Sequence, residues 1–408
     1  MKAAKGSVLG AALLITGSCV GAGMLGLPIL TGFAGFFPSM LMFVLAWALM
    51  TGTALLLVEA GGWFKHSSNF PTMIESLLGP FFRSLCFILY LSLFYSLLVA
   101  YIADSGIHTS SIFESIGVTS IKAWMGSIFF VLFFGWIVYL GTRPVDMLNR
   151  MLMLVKILSF FALIFMSFHL VQSQNLLYSN PKYMLFPLPI LIISFGFHNM
   201  IPPIFHYLEG DVRRVRQSII LGSAITLSIY LLWLIITLGS LPLIGNNSIT
   251  GSFKNGFDAA KTLQQIYPSV GVAASLLAFS AILTSFLAQS ISVAHFLCDG
   301  LKLKKRNSAP FGIVLLTFLP PLLIAWTYPS IFYKALSFGG IVAVILFGLF
   351  PVMMVYKGRY IEKRSSSYKL FGGRITLLLL FTFSLLIILY RCFHHLGFEF
   401  FPIPLTYN

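Results

Sequence analysis

Long apolar segments alternate with short polar loops along most of the chain. Each segment spans roughly 18–28 residues, long enough at about 1.5 Å per residue to cross the hydrocarbon core of a bilayer as a helix. The pattern predicts an all-α polytopic membrane protein with eleven transmembrane helices. The predicted spans cover about residues 8–30, 37–62, 84–104, 124–141, 149–170, 186–208, 217–241, 269–297, 309–327, 333–356 and 374–391.

Composition and charge agree with this class. The 408 residues are 58% hydrophobic and 9% charged, which is typical of membrane proteins. About three quarters of the lysines and arginines fall in loops that are cytoplasmic if the N-terminus is cytoplasmic, so the positive-inside rule places the C-terminus outside. Because this topology explains the net charge of +15, the lipid bilayer is the expected partner and no nucleic acid is needed.

The first predicted span is interrupted by glycine. Gly17, Gly21, Gly23 and Gly26 fall within ten residues, and each costs a helix interior roughly 0.5–1 kcal/mol. Non-helical backbone at membrane depth persists only where protein buries it or water reaches it, so we expect a broken helix that exposes backbone groups to a ligand. Close helix packing through small residues is the alternative. The candidate binding residues here are Gly17, Ser18, Cys19, Gly21, Ala22 and Gly23.

The sixth predicted span is interrupted in a similar way. Pro202 and Pro203 each remove a backbone donor and disfavour helical angles in the preceding residue. If ten spans form two halves of five, the first and sixth spans correspond and the second half is inverted. Paired interruptions at corresponding positions point to a transporter's site near the bilayer midplane. The candidate binding residues here are Phe195, Gly196, Phe197, His198 and Asn199.

The two halves define the expected organisation of the chain. Residues 1–408 form a single transmembrane transporter domain, with one repeat at about 8–170, a second at about 186–356 and an extra helix at about 374–391. The longest outer loop is predicted to carry a short amphipathic helix at about residues 257–266.

Four motifs occur in order: GAGML with LP in residues 21–28, ALLLVE in 54–59, SFGFH with IP in 194–202, and TSFL in 284–287. Together they resemble the hydroxy and aromatic amino acid permease family, most closely its tyrosine/tryptophan branch, over nearly the whole chain. The resemblance implies the five-plus-five inverted repeat of the amino acid/polyamine/organocation-type superfamily. It also implies proton-driven import of tyrosine, or of tryptophan or phenylalanine, across the bacterial cytoplasmic (inner) membrane.

The two breaks suit a zwitterion. A helix that restarts at Gly21–Gly23 points N–H groups and a positive dipole end at a carboxylate. Carbonyls near Ser18 and Cys19, and those of residues 195–197, are expected to accept from the ammonium. Aromatic side chains are expected around the rest of the substrate, with a phenol or indole N–H bonded to a polar side chain. The candidates are Phe195 and Phe197, Tyr90, Tyr95 and Tyr101 on the third span, and His198 and Asn199 as the polar partners.

The coupling ion is expected to be a proton on Lys156. The acidic residues of the spans, Asp104 among them, sit near predicted span ends, which argues against a carboxylate relay. Lys156 is the one basic residue inside a span, and a lysine removed from water can exchange its proton near neutral pH. In some proton-driven relatives of the wider superfamily, a lysine on the fifth span replaces a sodium ion held between the first and eighth spans. Thr284 and Ser285 supply hydroxyls there for a lysine or, alternatively, for sodium.

Several alternatives stay open. Lys156 alternatively extends to the cytoplasmic surface, with His198 and His295 as reserve proton carriers. His198 is alternatively a helix-end histidine bonded to backbone. Serine or threonine is the alternative substrate, sodium-coupled uptake the alternative mechanism, and a channel a further class. No enzyme, catalytic residue, metal site or cofactor is expected, because no HExxH motif, GxSxG motif or pair of carboxylates lies at span depth. The sequence leaves the oligomeric state open.

Overall fold

The computed structural model describes residues 6–64, 69–118, 120–301, 310–365 and 368–395, and the regular elements of this part are all helices. The first six are α1 (Val8–Cys19), α2 (Ala22–Thr31), α3 (Phe36–Gly61), α4 (Phe70–Leu78), α5 (Pro80–Ser115) and α6 (Ala123–Tyr139). The next six are α7 (Thr142–Ser167), α8 (Ser173–Leu177), α9 (Leu188–Ser194), α10 (Ile201–Tyr207), α11 (Val212–Ser240) and α12 (Ile249–Asn255). The last six are α13 (Ala259–Ile266), α14 (Gly271–Gly300), α15 (Phe311–Thr327), α16 (Phe332–Ala343), α17 (Phe350–Tyr356) and α18 (Gly373–His395).

Apolar helices of membrane-crossing length dominate the structure. Eight helical segments in the described residues are long and apolar enough to span a bilayer, and the bent pair α1 and α2 adds a ninth. α9 and α10 form one of the eight, joined by a 3₁₀ turn, and α16 and α17 form another, joined by a π-helical turn. α6 and α15 are shorter apolar helices. The predicted all-α polytopic class is therefore confirmed.

The third predicted span ends too early. It was placed at about 84–104, whereas the helix α5 continues to Ser115, so Asp104 lies eleven residues before the end of its helix. Hydropathy falls after residue 104, but Ser105 and His108 are buried in the structure, and tertiary packing maintains the helix there. The amphipathic helix predicted at about 257–266 is confirmed as α13.

The interrupted helices lie in the interior. α1 packs along α11, α7 along α14, and α5 against α6, α14, α15 and α16. α2 contacts α9, α11, α13 and α14, and its residues Ala22, Met24 and Leu25 are fully buried. By contrast, only 28% of the apolar window of α7 and 22% of that of α18 is buried. These two helices form the periphery, where lipid satisfies their apolar surfaces.

One buried ion pair fixes the periphery to the centre. Glu59, near the end of α3, receives both guanidinium arms of Arg359, and its Oε2 also accepts the N–H of Leu370 at 2.9 Å. Both side chains are almost fully buried. A bidentate pair with an additional backbone donor satisfies a buried carboxylate well. Glu59 therefore has a structural role: it ties α3 to the segment between α17 and α18, through Arg359 and Leu370.

Candidate functional site

The first interruption is a sharp bend held by a serine from α14. The helix axis bends by 59° between α1 and α2. Gly21, between the two helices, has an extended backbone, with φ −134° and ψ −158°. The N–H of Ala22 has no partner in its own helix and donates to Ser285 Oγ at 3.1 Å. A Cβ atom on Gly21 would overlap Ser285 Oγ, so glycine at this position allows the hydroxyl to reach the N–H of Ala22.

The second interruption lies beside the first. α9 ends at Ser194, Phe195 and Gly196 leave the helix, and a 3₁₀ turn over Phe197–Met200 leads into α10. A Cβ atom on Gly23 would lie 3.2 Å from Ser194 Oγ. The start of α2 and the end of α9 therefore touch.

Tyr230 of α11 joins the two interruptions, and sequence reasoning missed it. Its hydroxyl lies 2.7 Å from the carbonyl oxygen of Cys19 and 2.8 Å from that of Ser194, which are the last residues of α1 and α9. One turn further on, Trp233 Nε1 donates to Met24 O at 3.1 Å. Buried Tyr and Trp usually find hydrogen-bond partners. Tyr230 and Trp233 lie three residues apart on one apolar span, and this spacing, which places both on one helix face, was the signal that the sequence offered.

A cavity of about 100 Å³ opens between the interruptions. It is smaller than the roughly 300–1,000 Å³ of typical ligand pockets, so an aromatic ligand requires lining side chains to move. Of the predicted residues, those lining it are Ser18, Cys19, Gly21, Gly23, Gly196, Asn199, Ser285, Tyr90 and Tyr101. The lining residues that were not predicted include Phe94, Ser194, Gln289 and Phe347.

Gln289 adds a polar group to this lining. Its side chain is partly buried on α14, and its Nε2 has no hydrogen-bond partner among the described residues. A buried amide without a partner costs free energy unless a ligand or water satisfies it. Gln289 is therefore the side chain of the cavity best placed to bond a polar group of a ligand.

Other predicted residues lie outside the cavity. Phe195 is fully buried against Tyr230, with ring centroids 5.1 Å apart, and Phe197 is also fully buried. His198 Nε2 lies 2.9 Å from Thr53 Oγ1, so its partner is a side chain and not backbone. A 3₁₀ turn rotates successive side chains by about 120°, so Phe197, His198 and Asn199 point in three directions and only Asn199 reaches the cavity.

Three further candidates also lie away from it. Ala22 is fully buried within α2, and Gly17 faces Met153 of α7. The Tyr95 hydroxyl donates to the carbonyl of Leu316 on α15 at 2.7 Å. The aromatic part of the cavity wall therefore comes from Tyr90, Phe94 and Tyr101 on α5 and from Phe347, rather than from the phenylalanines of the second interruption.

Lys156 reaches the first interruption from α7. Its ammonium donates to the carbonyl of Val20 at 2.6 Å and lies 3.5 Å from Thr284 Oγ1, with 3% of the residue exposed. The side chain therefore does not extend to the cytoplasmic surface, as the alternative interpretation required. Ser285, the neighbour of Thr284, lines the cavity. His295, a reserve candidate, is exposed on α14.

The relatives of this chain are transport proteins for tryptophan or tyrosine. A model of the tryptophan/tyrosine permease family matches residues 4–391. The chain is 28% identical to a tryptophan-specific transport protein of Haemophilus influenzae, over 96% of this chain and 97% of that protein. It is 30% identical to tyrosine-specific transport system 1 of the same organism, over 93% and 95%. It is 27% identical to a low affinity tryptophan permease of Escherichia coli K12, over 94% and 95%.

These relatives are bacterial transport proteins, in agreement with the expectation that the chain is not an enzyme. With the many apolar helices, they support a multi-pass protein of the inner membrane and an amino acid as substrate. The family match covers nearly the whole length, including both interrupted helices. The chain belongs to the tryptophan/tyrosine permease family.

Proposed function

We propose that the protein is a secondary active symporter that imports aromatic amino acids, tyrosine first, coupled to protons by alternating access. The observation that carries the proposal is the meeting of two interrupted helices at one cavity, with the ammonium of Lys156 on the carbonyl of Val20 in the first interruption.

Backbone groups of the two interruptions bind the α-carboxylate and α-ammonium of the substrate. The N-terminal end of α2 faces the cavity at Gly21 and Gly23 and presents its positive dipole end to the carboxylate. The N–H of Gly21 already donates to Cys19 O, so the N–H of Gly23 is the donor for the carboxylate. The ends of α1 and α9, at Ser18 and Gly196, provide carbonyls for the ammonium. Recognition by backbone avoids a permanent buried charge at membrane depth.

The substrate side chain lies against α5 and α14. Tyr90, Phe94 and Tyr101 offer aromatic surface, and Gln289 offers an amide that can donate to a phenol oxygen or accept from an indole N–H. Of the relatives named above, one is a tryptophan-specific and one a tyrosine-specific transporter, which favours the aromatic class over serine or threonine.

Lys156 carries the coupled proton. Its ammonium is buried, has no carboxylate partner among the described residues, and touches only the Val20 carbonyl and the Thr284 hydroxyl. Loss of its proton removes a buried charge from the first interruption. The ammonium also occupies the position that a sodium ion between α1 and Thr284 would need, which favours protons over sodium.

The membrane domain consists of eleven spans with a five-plus-five inverted repeat. α1 with α2 through α7 form the first repeat, α9 through α17 the second, and α18 is the extra span. The helix contacts support this repeat, because equivalent helices of the two halves make equivalent contacts. α1 packs on α11 as α9 packs on α3, and α7 packs on α14 as α16 packs on α5. The loop charges place the N-terminus in the cytoplasm and the C-terminus outside.

The test is uptake of labelled tyrosine into proteoliposomes under an inward proton gradient or an inward sodium gradient. Accumulation with protons alone, competed by tryptophan but not by serine, is the expected result. Accumulation only with sodium would refute the proton coupling. Accumulation of serine but not tyrosine would refute the substrate class.

A further inference from the structure

A second polar cluster lies away from the cavity between the interruptions. Asp104 and His108 are one turn apart on one face of α5, and Asp258 directly precedes α13 in the short loop after α12. His108 Nε2 lies 2.9 Å from Asp258 Oδ2 and 3.9 Å from Asp104 Oδ1. Both carboxylates are fully buried and His108 is 4% exposed. The i, i+4 spacing of Asp104 and His108 is visible in the sequence, but their contact with Asp258 is not, because α5 and α13 are far apart along the chain.

The cluster has more negative charge than the surrounding groups satisfy. Neither oxygen of Asp104 has a hydrogen-bond partner among the described residues. Asp258 Oδ1 accepts the backbone N–H of Lys261 at 2.6 Å, which leaves Oδ2 for His108. The ammonium of Lys261 donates to Ser111 Oγ at 2.7 Å. Two buried carboxylates with so few donors are costly unless a cation joins them.

The chemistry of the three side chains selects the type of cation. One ligand atom from each lies within 4.8 Å of the other two, and ligands at positions i and i+4 of a helix converge on one ion, as in zinc sites of enzymes. Imidazole nitrogen favours first-row transition metals over magnesium or calcium, and carboxylate oxygens complete such sites. A cavity of about 330 Å³, lined by His108, Ser111 and Gln264, gives access to the imidazole.

We propose that Asp104, His108 and Asp258 form a binding site for a divalent transition-metal ion of the zinc type. Two ligands come from α5 and one from the N-terminus of α13, so the bound ion fastens these elements together. α13 also packs against α2 and α14, which carry parts of the candidate substrate site. A metal ion at this position restrains the movement of α13 and slows transport; this consequence, unlike the site itself, rests on the proposed function.

The binding test uses the purified full-length protein in detergent, freed of metal and titrated with Co²⁺ as a spectroscopic probe and Zn²⁺ as a competitor. We expect one cobalt ion per chain with visible d–d absorption that zinc abolishes. Asp104→Asn and His108→Gln each remove one metal ligand. Each is expected to lower the affinity for cobalt by more than the roughly 10–100-fold that follows loss of a residue which only hydrogen-bonds a ligand. His169→Gln, which removes an exposed histidine outside the cluster, is the matched control and binds as the wild type.

The cobalt titration decides whether the cluster binds a metal ion. Absence of stoichiometric binding by the wild type would overturn the proposal and identify the cluster as one neutralised by protons alone. Equal affinity in the wild type and Asp104→Asn, whose side chain keeps its shape, would also overturn it, even if His108→Gln fails to fold. In proteoliposomes, external zinc is expected to slow tyrosine uptake several-fold in the wild type and His169→Gln but not in Asp104→Asn. Because cobalt binding is measured without transport, failure of the proposed function would leave the metal site standing.

Discussion

Lys156→Met tests the coupling ion most directly. Methionine keeps much of the lysine's length but removes the ammonium that lies 2.6 Å from Val20 O. Loss of this charge-assisted hydrogen bond costs about 1.5–3 kcal/mol, which an otherwise intact membrane domain tolerates. One pH unit of imposed gradient supplies about 1.4 kcal/mol per proton, or about tenfold accumulation for one coupled proton. We expect the wild type to approach that ratio and the variant to equilibrate tyrosine at a ratio near one.

The assay is tyrosine accumulation in proteoliposomes with an inward gradient of one pH unit, read at the plateau. Lys182→Met is the matched control, because Lys182 is an exposed lysine in the loop after α8, and it is expected to accumulate like the wild type. Exchange of internal for external tyrosine without a gradient shows that the Lys156 variant still binds substrate. A variant that still accumulates tyrosine about tenfold would refute the assignment of the proton to Lys156.

Two further predictions concern the interruptions themselves. Tyr230→Phe leaves the carbonyls of Cys19 and Ser194 without their shared donor. It is expected to raise the KM for tyrosine about tenfold, as a loss of about 1.4 kcal/mol would. Tyr267→Phe, which loses a similar bond to Ser240 O, is the control, and equal KM values for the two variants would contradict the role of Tyr230. Gly21→Ala is expected to weaken tyrosine binding, measured by scintillation proximity assay, because the alanine Cβ overlaps Ser285 Oγ and displaces it from the N–H of Ala22. Ser285→Ala in the same chain removes that overlap and restores part of the binding, and no recovery would refute the steric explanation.

The positions of the interruptions were predictable because glycine and proline are costly in an apolar helix unless the backbone is needed. The predicted bend lies between Cys19 and Ala22, and the second interruption begins after Ser194. The contact between Lys156 and Thr284 was also expected, through the fifth and eighth spans. A local cost provided the signal for the interruptions. For Lys156 the signal was a single basic residue in an apolar segment, and its contact with Thr284 was expected from the resemblance to proton-driven relatives.

The remaining features depend on tertiary packing that the sequence does not encode locally. The direction of each side chain around the 3₁₀ turn decided that Asn199, and not Phe197, reaches the cavity. Gln289 follows a hydrophobic run that does not indicate what faces it. The spacing of Tyr230 and Trp233 indicates a shared face of α11 but not the carbonyls that they meet. Asp104 was assigned to a span end because a hydropathy window ends where polar residues begin, whereas burial decides where a helix of this kind ends.

A single network of hydrogen bonds connects the proposed ion site to both interruptions. Lys156 bonds the carbonyl of Val20, whose peptide unit also contains the N–H of Gly21, and that N–H donates to the carbonyl of Cys19 at 2.8 Å. Tyr230 then links Cys19 O to Ser194 O in the second interruption. Because a peptide unit is planar, its C=O and N–H turn together. In the proposed mechanism, loss of the lysine proton would weaken the hold on Val20 O. Rotation of this one peptide would then change the geometry of both proposed substrate-binding ends, which is the coupling that symport requires.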